Sequence, residues 1–131
     1  MSGNGGAHNG KRAYKLMIVD DSNIMRRRIE RSQQFEELQL VGTAGNGVEA
    51  VEMFKKTDPD VVTMDLTMPR MDGIECIGHL VALKPAVRIL VISALADKAT
   101  AVEAMEKGAN GFLNKPFTDR QLNEAIAELM R

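Results

Sequence analysis

The sequence is poor in cysteine, in long apolar runs and in excess charge, and each shortage excludes a class of protein. Cys76 is the single cysteine, so no internal disulfide can form, which suits a reducing, cytoplasmic setting. No apolar run reaches the length of about 18–20 residues that spans a membrane. A formal net charge of −1 gives no basic surface for nucleic acid or for an anionic membrane, and we expect neither as a partner.

The first residues also lack the apolar core of a signal peptide. Residues 1–13 are rich in glycine and asparagine, and we predict that they form a flexible N-terminal tail. The remaining residues, 14–131, are enough for one domain with a single core. We find no internal repeat and no second domain in them.

Strand-like and helix-like patterns alternate five times across residues 14–131. Short apolar runs predict buried strands at residues 16–19, 38–44, 60–64, 87–92 and 111–114. Amphipathic stripes with caps and breakers predict five helices, from Ser22 or Asn23 to about Phe35, from Asn46 to Asp58, from Ile74 to about Lys84, from Ala94 to Lys107 and from Thr118 or Asp119 onward. This order predicts an α/β fold with a parallel sheet covered by helices on both faces.

Each predicted helix is expected to bury its apolar stripe. In the second helix that stripe is Val48, Val51 and Phe54. In the fourth helix we expect Val102 and Met105 to point inward.

Polar side chains follow four of the five predicted strands. Asp20 and Asp21 follow the first strand, Asp65 the third, Ser93 the fourth and Lys115 the fifth. Taken singly, each would be an ordinary cap or turn residue. Because the carboxyl ends of parallel strands meet at one edge of a sheet, we expect these groups to converge there.

Three carboxylates at one edge repel one another unless a cation lies among them. An all-oxygen site suits Mg²⁺, the lysine adds a further positive charge, and the hydroxyl can donate to an oxyanion. A nucleophilic carboxylate, a metal site and hydrogen-bond donors are what phosphoryl transfer to an aspartate requires. We therefore predict that Asp65 is the reactive group.

The motifs that contain these residues resemble the receiver domain of two-component response regulators, and among them the single-domain, CheY-like chemotaxis regulators. The matching segments are Ile18-Val19-Asp20-Asp21-Ser22, Met64-Asp65-Leu66-Thr67-Met68-Pro69-Arg70-Met71-Asp72-Gly73, Ser93-Ala94 and Lys115-Pro116-Phe117. The resemblance covers residues 14–131. It implies a flavodoxin-like, doubly wound fold of five strand–helix units.

The resemblance assigns roles at the strand ends. Asp65 would accept a phosphoryl group, and Asp20 and Asp21 would hold Mg²⁺ together with Asp65 and the backbone carbonyl of Thr67. Lys115 would pair with the acceptor carboxylate or with the phosphate. A cis peptide bond is expected between Lys115 and Pro116.

A conformational switch is also implied by the resemblance. Ser93 would move to bind the phosphate, the small Ala94 would leave room for that movement, and Phe112 would turn inward behind Ser93. The surface of the fourth helix, fifth strand and fifth helix would then change shape. A static core position for Phe112 stays open as the alternative.

Two positions depart from the best-known enterobacterial regulators. Thr67 stands where those proteins have asparagine, and Leu95 stands where they have glutamate. In the family these positions line the path of the hydrolytic water, which a leucine cannot orient. We predict that the phosphorylated protein hydrolyses more slowly than its enterobacterial counterparts.

The implied function is signalling, not enzymatic turnover of a substrate. We expect phosphorylation by a CheA-like histidine kinase in the cytoplasm, with a possible phosphatase as a further partner. The sequence leaves no residues for a DNA-binding output domain, so we expect output by protein contact, with a flagellar motor switch protein as the first candidate. A phosphorelay shuttle or phosphate sink is the alternative. An aspartate-nucleophile phosphatase is disfavoured, because it needs a second aspartate where Thr67 stands.

Overall fold

The computed structural model describes residues 13–95 and 97–131. The predicted tail, residues 1–13, lies outside this range except for Ala13, which is exposed. Among the described residues, no helix is both long enough and apolar enough to cross a membrane.

Five parallel strands alternate with five helices along the chain. The strands are β1 Tyr14–Val19, β2 Leu38–Ala44, β3 Val61–Met64, β4 Arg88–Ser93 and β5 Gly111–Asn114. The helices are α1 Asn23–Ser32, α2 Gly47–Thr57, α3 Gly73–Leu83, α4 Lys98–Lys107 and α5 Asp119–Met130. The strand order in the sheet is β2-β1-β3-β4-β5, which confirms the predicted doubly wound, flavodoxin-like arrangement.

The order of the strands reverses at β1, which pairs with β2 on one side and with β3 on the other. In open α/β sheets the crevice beyond the carboxyl ends of the strands at such a reversal is where ligands bind. Asp20 and Asp21 follow β1 and Asp65 follows β3, so these residues flank that crevice.

Alternate residues of the strands supply two cores, one on each face of the sheet. On one face Met17, Val62 and Val91 pack with residues of α2, α3 and α4 such as Phe54 and Leu80. The core on the other face joins strand residues to residues of α1 and α5. It contains Leu16, Ile18, Val61, Leu90 and Ile92 from the strands, Ile29 of α1, and Leu122, Ile126 and Leu129 of α5. The sheet is therefore fully covered, as parallel sheets require.

Each helix begins at a side-chain cap. The side chains of Ser22, Asn46, Asp72, Asp97 and Thr118 each accept a hydrogen bond from the backbone N–H three residues later. Caps of this kind each stabilise a helix by about 1 kcal/mol.

The prediction for the fourth helix is wrong in two respects. The helix begins at Lys98 after the Asp97 cap, and not at Ala94. Val102 and Met105 are exposed by 47% and 45%, and the residue of α4 that is buried is Ala104. The larger apolar side chains of α4 therefore point outward, which an apolar stripe in the sequence does not by itself reveal.

Smaller differences occur in α1 and α2. Helix α1 ends at Ser32, short of Phe35, because Gln33 adopts an extended conformation that starts the connection to β2. In α2 Val48 and Val51 are only half-buried, whereas Phe54 is buried as predicted.

Candidate functional site

The three aspartates meet at the carboxyl edge of the sheet. The strand ladder continues one residue past each strand, because the N–H of Asp65 donates to the carbonyl of Val19 at 2.9 Å and that of Asp20 to the carbonyl of Ala44 at 3.0 Å. Oxygen atoms from the carboxylates of Asp20, Asp21 and Asp65 all lie within 4.8 Å of one another. Asp20 and Asp65 are buried, with 1% and 4% exposure, whereas Asp21 is exposed.

Asp20 also accepts hydrogen bonds at all three of its oxygen atoms. Its Oδ1 accepts from the backbone N–H of Ser22 at 2.9 Å, and its Oδ2 accepts from Nζ of Lys115 at 2.8 Å. Its backbone carbonyl accepts from the guanidinium of Arg26. The carboxylate is thereby held at a set position with respect to Asp65, which is the condition for a preformed ligand.

Lys115 places its ammonium group between two carboxylates. Its backbone N–H donates to the carbonyl of Ser93 at 2.9 Å, and the peptide bond between Lys115 and Pro116 is cis. Its Nζ lies 2.8 Å from Oδ2 of Asp20 and 3.6 Å from Oδ1 of Asp65. Lys115 thus bridges both acids and lies nearer to Asp20 than to Asp65.

The single ammonium does not balance the charge of the three acids. Burial, followed by the charge of Asp20, raises the pKa of Asp65 from its ordinary value of 3.8 to about 6, although Lys115 and the Thr67 N–H oppose the shift. Two like charges at the separation of these oxygens repel by roughly 3–4 kcal/mol at an effective dielectric constant of about 20. The site therefore stabilises an added positive charge.

The donor set fits a small, hard divalent cation. Three carboxylates from Asp20, Asp21 and Asp65 offer oxygen ligands, which Mg²⁺ prefers, and the exposed Asp21 leaves one side open to solvent. Thr67 is exposed at the same loop, and its N–H donates to Oδ1 of Asp65 at 3.3 Å. A ligand role for the Thr67 carbonyl stays a prediction.

The residues predicted to form the switch surround the end of β4. Ser93 is fully buried, and its Oγ accepts a hydrogen bond from the N–H of Leu95 at 3.0 Å. Ala94 is exposed, Leu95 is 44% exposed, and Phe112 is partly buried against the core that includes α3 and α4. The serine hydroxyl is therefore engaged by its own following loop, while Phe112 is neither fully buried nor free of the core.

Gly73 lies against the site, although the sequence predicted no site role for it. A Cβ at this position would overlap the carbonyl oxygen of Asp65 and lie 2.7 Å from Cα of Leu66. The N–H of Gly73 donates to the carbonyl of Leu66 at 3.0 Å, so the start of α3 packs directly against the backbone of Asp65 and Leu66. The glycine that follows the Asp72 cap is the sequence signal that could have indicated this close approach.

Gly47, the first residue of α2, closely approaches Met71 in the loop between β3 and α3. A Cβ there would lie 2.5 Å from both the Cβ and the carbonyl oxygen of Met71. The beginning of α2 and the loop after β3 therefore pack backbone against backbone.

Comparisons with known proteins agree with this geometry. The family model described as the response regulator receiver domain matches residues 16–127. The chemotaxis protein CheY of Listeria monocytogenes is 38% identical over 112 residues, which are 86% of this chain and 94% of that protein. A protein-glutamate methylesterase/protein-glutamine glutaminase of Pseudoalteromonas atlantica is 46% identical over 123 residues, 89% of this chain but only 32% of that protein.

A solved structure extends the agreement to the whole fold. A chain from the crystal structure of the CheX–CheY–BeF3–Mg²⁺ complex of Borrelia burgdorferi aligns with a TM-score of 0.88 and 28% identity over 95% of each chain. The family model and the relatives agree with the strand order and with the acid cluster. The chain therefore belongs to the response regulator receiver domain family of two-component signalling, and CheY proteins are among its relatives.

Proposed function

We propose that Asp65 accepts a phosphoryl group from the phosphohistidine of a CheA-like histidine kinase. The observation that supports this most directly is a buried carboxylate that shares its edge of the sheet with two further acids and a lysine amine. The region proposed to perform this function is residues 14–131, in which the described part of the chain forms five strands and five helices.

The reaction needs Asp65 in its ionised form. A carboxylate oxygen forms a bond to phosphorus, the phosphorus–nitrogen bond of the phosphohistidine breaks, and the imidazole nitrogen leaves with the electron pair and takes up a proton. Lys115 lies within 3.6 Å of the acceptor, so its ammonium can balance charge on the product.

The proposed metal ligands are Asp20, Asp21 and Asp65, with the backbone carbonyl of Thr67. When bound, Mg²⁺ neutralises charge on phosphoryl oxygens. The chain's own contribution is to hold Asp20 by the Ser22 N–H and by Lys115, so that the carboxylate is already in place.

The proposed switch moves the Ser93 hydroxyl from the Leu95 N–H to the phosphate. Ala94 gives this loop room, and Phe112 turns further into the space behind Ser93. The surface formed by α4, β5 and α5 would then present a different shape, and the exposed Val102 and Met105 lie on that surface.

The proposed output is phosphorylation-dependent binding to a flagellar motor switch protein in chemotaxis. Similarity to CheY proteins over nearly their full length supports a chemotaxis role. The protein would act in the cytoplasm, and its chemistry would be limited to its own phosphorylation and dephosphorylation. A phosphatase partner is also proposed, and a relative solved as a CheX–CheY complex supports that search.

The test uses Mg²⁺ with acetyl phosphate, or with beryllium fluoride as a phosphate mimic, and the variant Asp65→Asn as control. We expect an acid-labile phosphoprotein from the parent chain, none from the variant, and binding to a motor switch peptide only in the phosphorylated state. Undiminished phosphorylation of Asp65→Asn would exclude Asp65 as the acceptor. Rapid back-transfer to a histidine phosphotransfer protein without peptide binding would favour the shuttle.

A further inference from the structure

Arg28 of α1 makes three contacts with the segment that follows Lys115. Its guanidinium carbon lies 4.4 Å from the centroid of the Phe117 ring, and its Nη2 donates a hydrogen bond to the carbonyl of Phe117. The same nitrogen lies 3.6 Å from Oδ1 of Asp119, the first residue of α5. One side chain thus holds a ring, a backbone carbonyl and a helix terminus.

The three contacts differ in strength. Phe117 is buried, with 4% exposure, so its ring and carbonyl give the guanidinium a fixed platform. A charged donor to a carbonyl is stronger than a neutral one, and the planar guanidinium loses little freedom when it binds. The side chain of Asp119 is 62% exposed, and an ion pair so open to solvent adds little. Phe117 is therefore the main contact.

These contacts fix the chain two residues beyond Lys115. On its strand side Lys115 is held by the hydrogen bond to the carbonyl of Ser93. On its other side the chain passes through Pro116 to Phe117, which Arg28 holds. The amine lies 2.8 Å from Asp20 and 3.6 Å from Asp65, so small shifts of this segment change both distances.

We infer that Arg28 is a positioning residue that acts on phosphoryl transfer through Lys115. It does so by anchoring Phe117, so that the lysine amine stays at the acid cluster. This inference rests on the proposed phosphorylation of Asp65.

Asn123 of α5 offers a matched control, because it also joins α1 to α5. Nδ2 of Asn123 in α5 donates to the carbonyl of Ser32 at 2.9 Å, and its Oδ1 accepts from the N–H of Gln34 at 2.8 Å. Asn123 therefore joins α5 to the end of α1, as Arg28 joins α1 to the start of α5. Its Nδ2 also donates to the carbonyl of Asp119 at 2.8 Å within α5, and none of these hydrogen bonds involves Pro116 or Phe117.

The experiment measures the rate of phosphorylation by acetyl phosphate at saturating Mg²⁺. Arg28→Met keeps an unbranched stem over the Phe117 ring and removes the charge and the donors. We expect its rate to fall roughly five- to tenfold, because small displacements of a reacting group are costly. In a Lys115→Met background, adding Arg28→Met is expected to change the phosphorylation rate by less than about twofold. In the parent chain, Asn123→Ala is also expected to change that rate by less than about twofold.

Hydrogen exchange gives a second measurement that does not depend on phosphorylation. We expect Arg28→Met to speed amide exchange in a peptide covering residues 114–118, and Asn123→Ala to leave that peptide unchanged. The inference is overturned by an unchanged rate in Arg28→Met, by an equal loss in both lysine backgrounds, or by unchanged exchange in the peptide. If the parent chain were not phosphorylated at all, the proposed function would be wrong. The exchange measurement would still test whether Arg28 anchors the segment after Lys115.

Discussion

At the scale of single residues, the site places two buried carboxylates close together with one ammonium group between them. Asp65 is almost completely buried beside a second buried carboxylate, and one ammonium is shared between them. The raised pKa of Asp65 means that the folded protein holds a proton there more tightly than the unfolded chain does. Ionised Asp65 therefore destabilises the folded protein, and a cation bound beside it would relieve this.

Asp65→Asn should stabilise the metal-free protein at neutral pH. As pH rises from about 4 to 6, the unfolded chain releases a proton that the native Asp65 retains, so the free energy of unfolding falls across this window by up to about 3 kcal/mol. In Asp65→Asn the free energy of unfolding does not fall in this way, because asparagine does not titrate. Urea denaturation with a chelator present should show a gain of about 1–3 kcal/mol at pH 7.5 and little gain at pH 4. A gain of equal size at both values would contradict the assignment.

Leu95→Glu should shorten the life of the phosphorylated state. Leu95 is 44% exposed at the loop beside Ser93, so a glutamate can be accommodated there without burying a charge. A carboxylate at that place can orient a water, which leucine cannot. We expect acyl-phosphate loss to become several-fold faster, measured by the decay of the phosphoprotein after removal of the donor. Leu95→Gln serves as control, and an unchanged lifetime in Leu95→Glu would exclude a role for this position.

At the scale of the elements, the first residue of α3, Gly73, packs against the backbone of Asp65 and Leu66. Gly73 has no room for a Cβ because the backbone of Asp65 and Leu66 occupies that space. By contrast, Gly78 in the same helix has only the end of the Lys107 side chain nearby, at 4.0 Å. The two glycines give a matched pair within one helix.

Gly73→Ala should destabilise the protein and slow phosphorylation, whereas Gly78→Ala should stabilise it. The first forces the backbone at the acceptor to move, and we expect a loss of about 2–3 kcal/mol, in the range of overpacking changes. The second removes the cost of glycine in a helix interior, about 0.5–1 kcal/mol. Thermal unfolding and acetyl phosphate rates measure both effects, and equal behaviour of the two variants would contradict the close approach at Gly73.

At the scale of the whole molecule, the site exists because the sheet brings three segments together. The first two aspartates and Asp65 are more than 40 positions apart in sequence, and Lys115 is 95 positions from Asp20. Parallel pairing of β1 with β3 and of β4 with β5 turns these distances into contacts. A cation bound at this edge would therefore stabilise the entire fold by linkage.

Mg²⁺ should raise the thermal stability of the chain in a pH-dependent way. At ten times the dissociation constant the gain is about 1.4 kcal/mol, which corresponds to several degrees in the unfolding temperature. The gain should be smaller at pH 5.5 than at pH 7.5, because Asp65, with its pKa of about 6, must ionise to become a ligand. Asp21→Asn is the control, since Asp21 is exposed. An equal shift in that variant would argue against the proposed ligand set.

The order of the elements and the residues that follow the strands could be predicted from local features of the sequence. Alternating apolar runs and caps are local signals, so strand and helix positions, the parallel sheet and the convergence of Asp20, Asp65 and Lys115 could be predicted. Local signals do not report how closely one element approaches another. The outward side chains of Val102 and Met105 therefore became visible only in the structure.

The distances within the site, in contrast, are set by tertiary packing. The nearer approach of Lys115 to Asp20 than to Asp65 and the contact of Arg28 with Phe117 join residues from distant parts of the chain. Such contacts depend on backbone positions set by the packing of both sheet faces. No periodicity or spacing in a single sequence encodes them, because packing is a property of all the elements together.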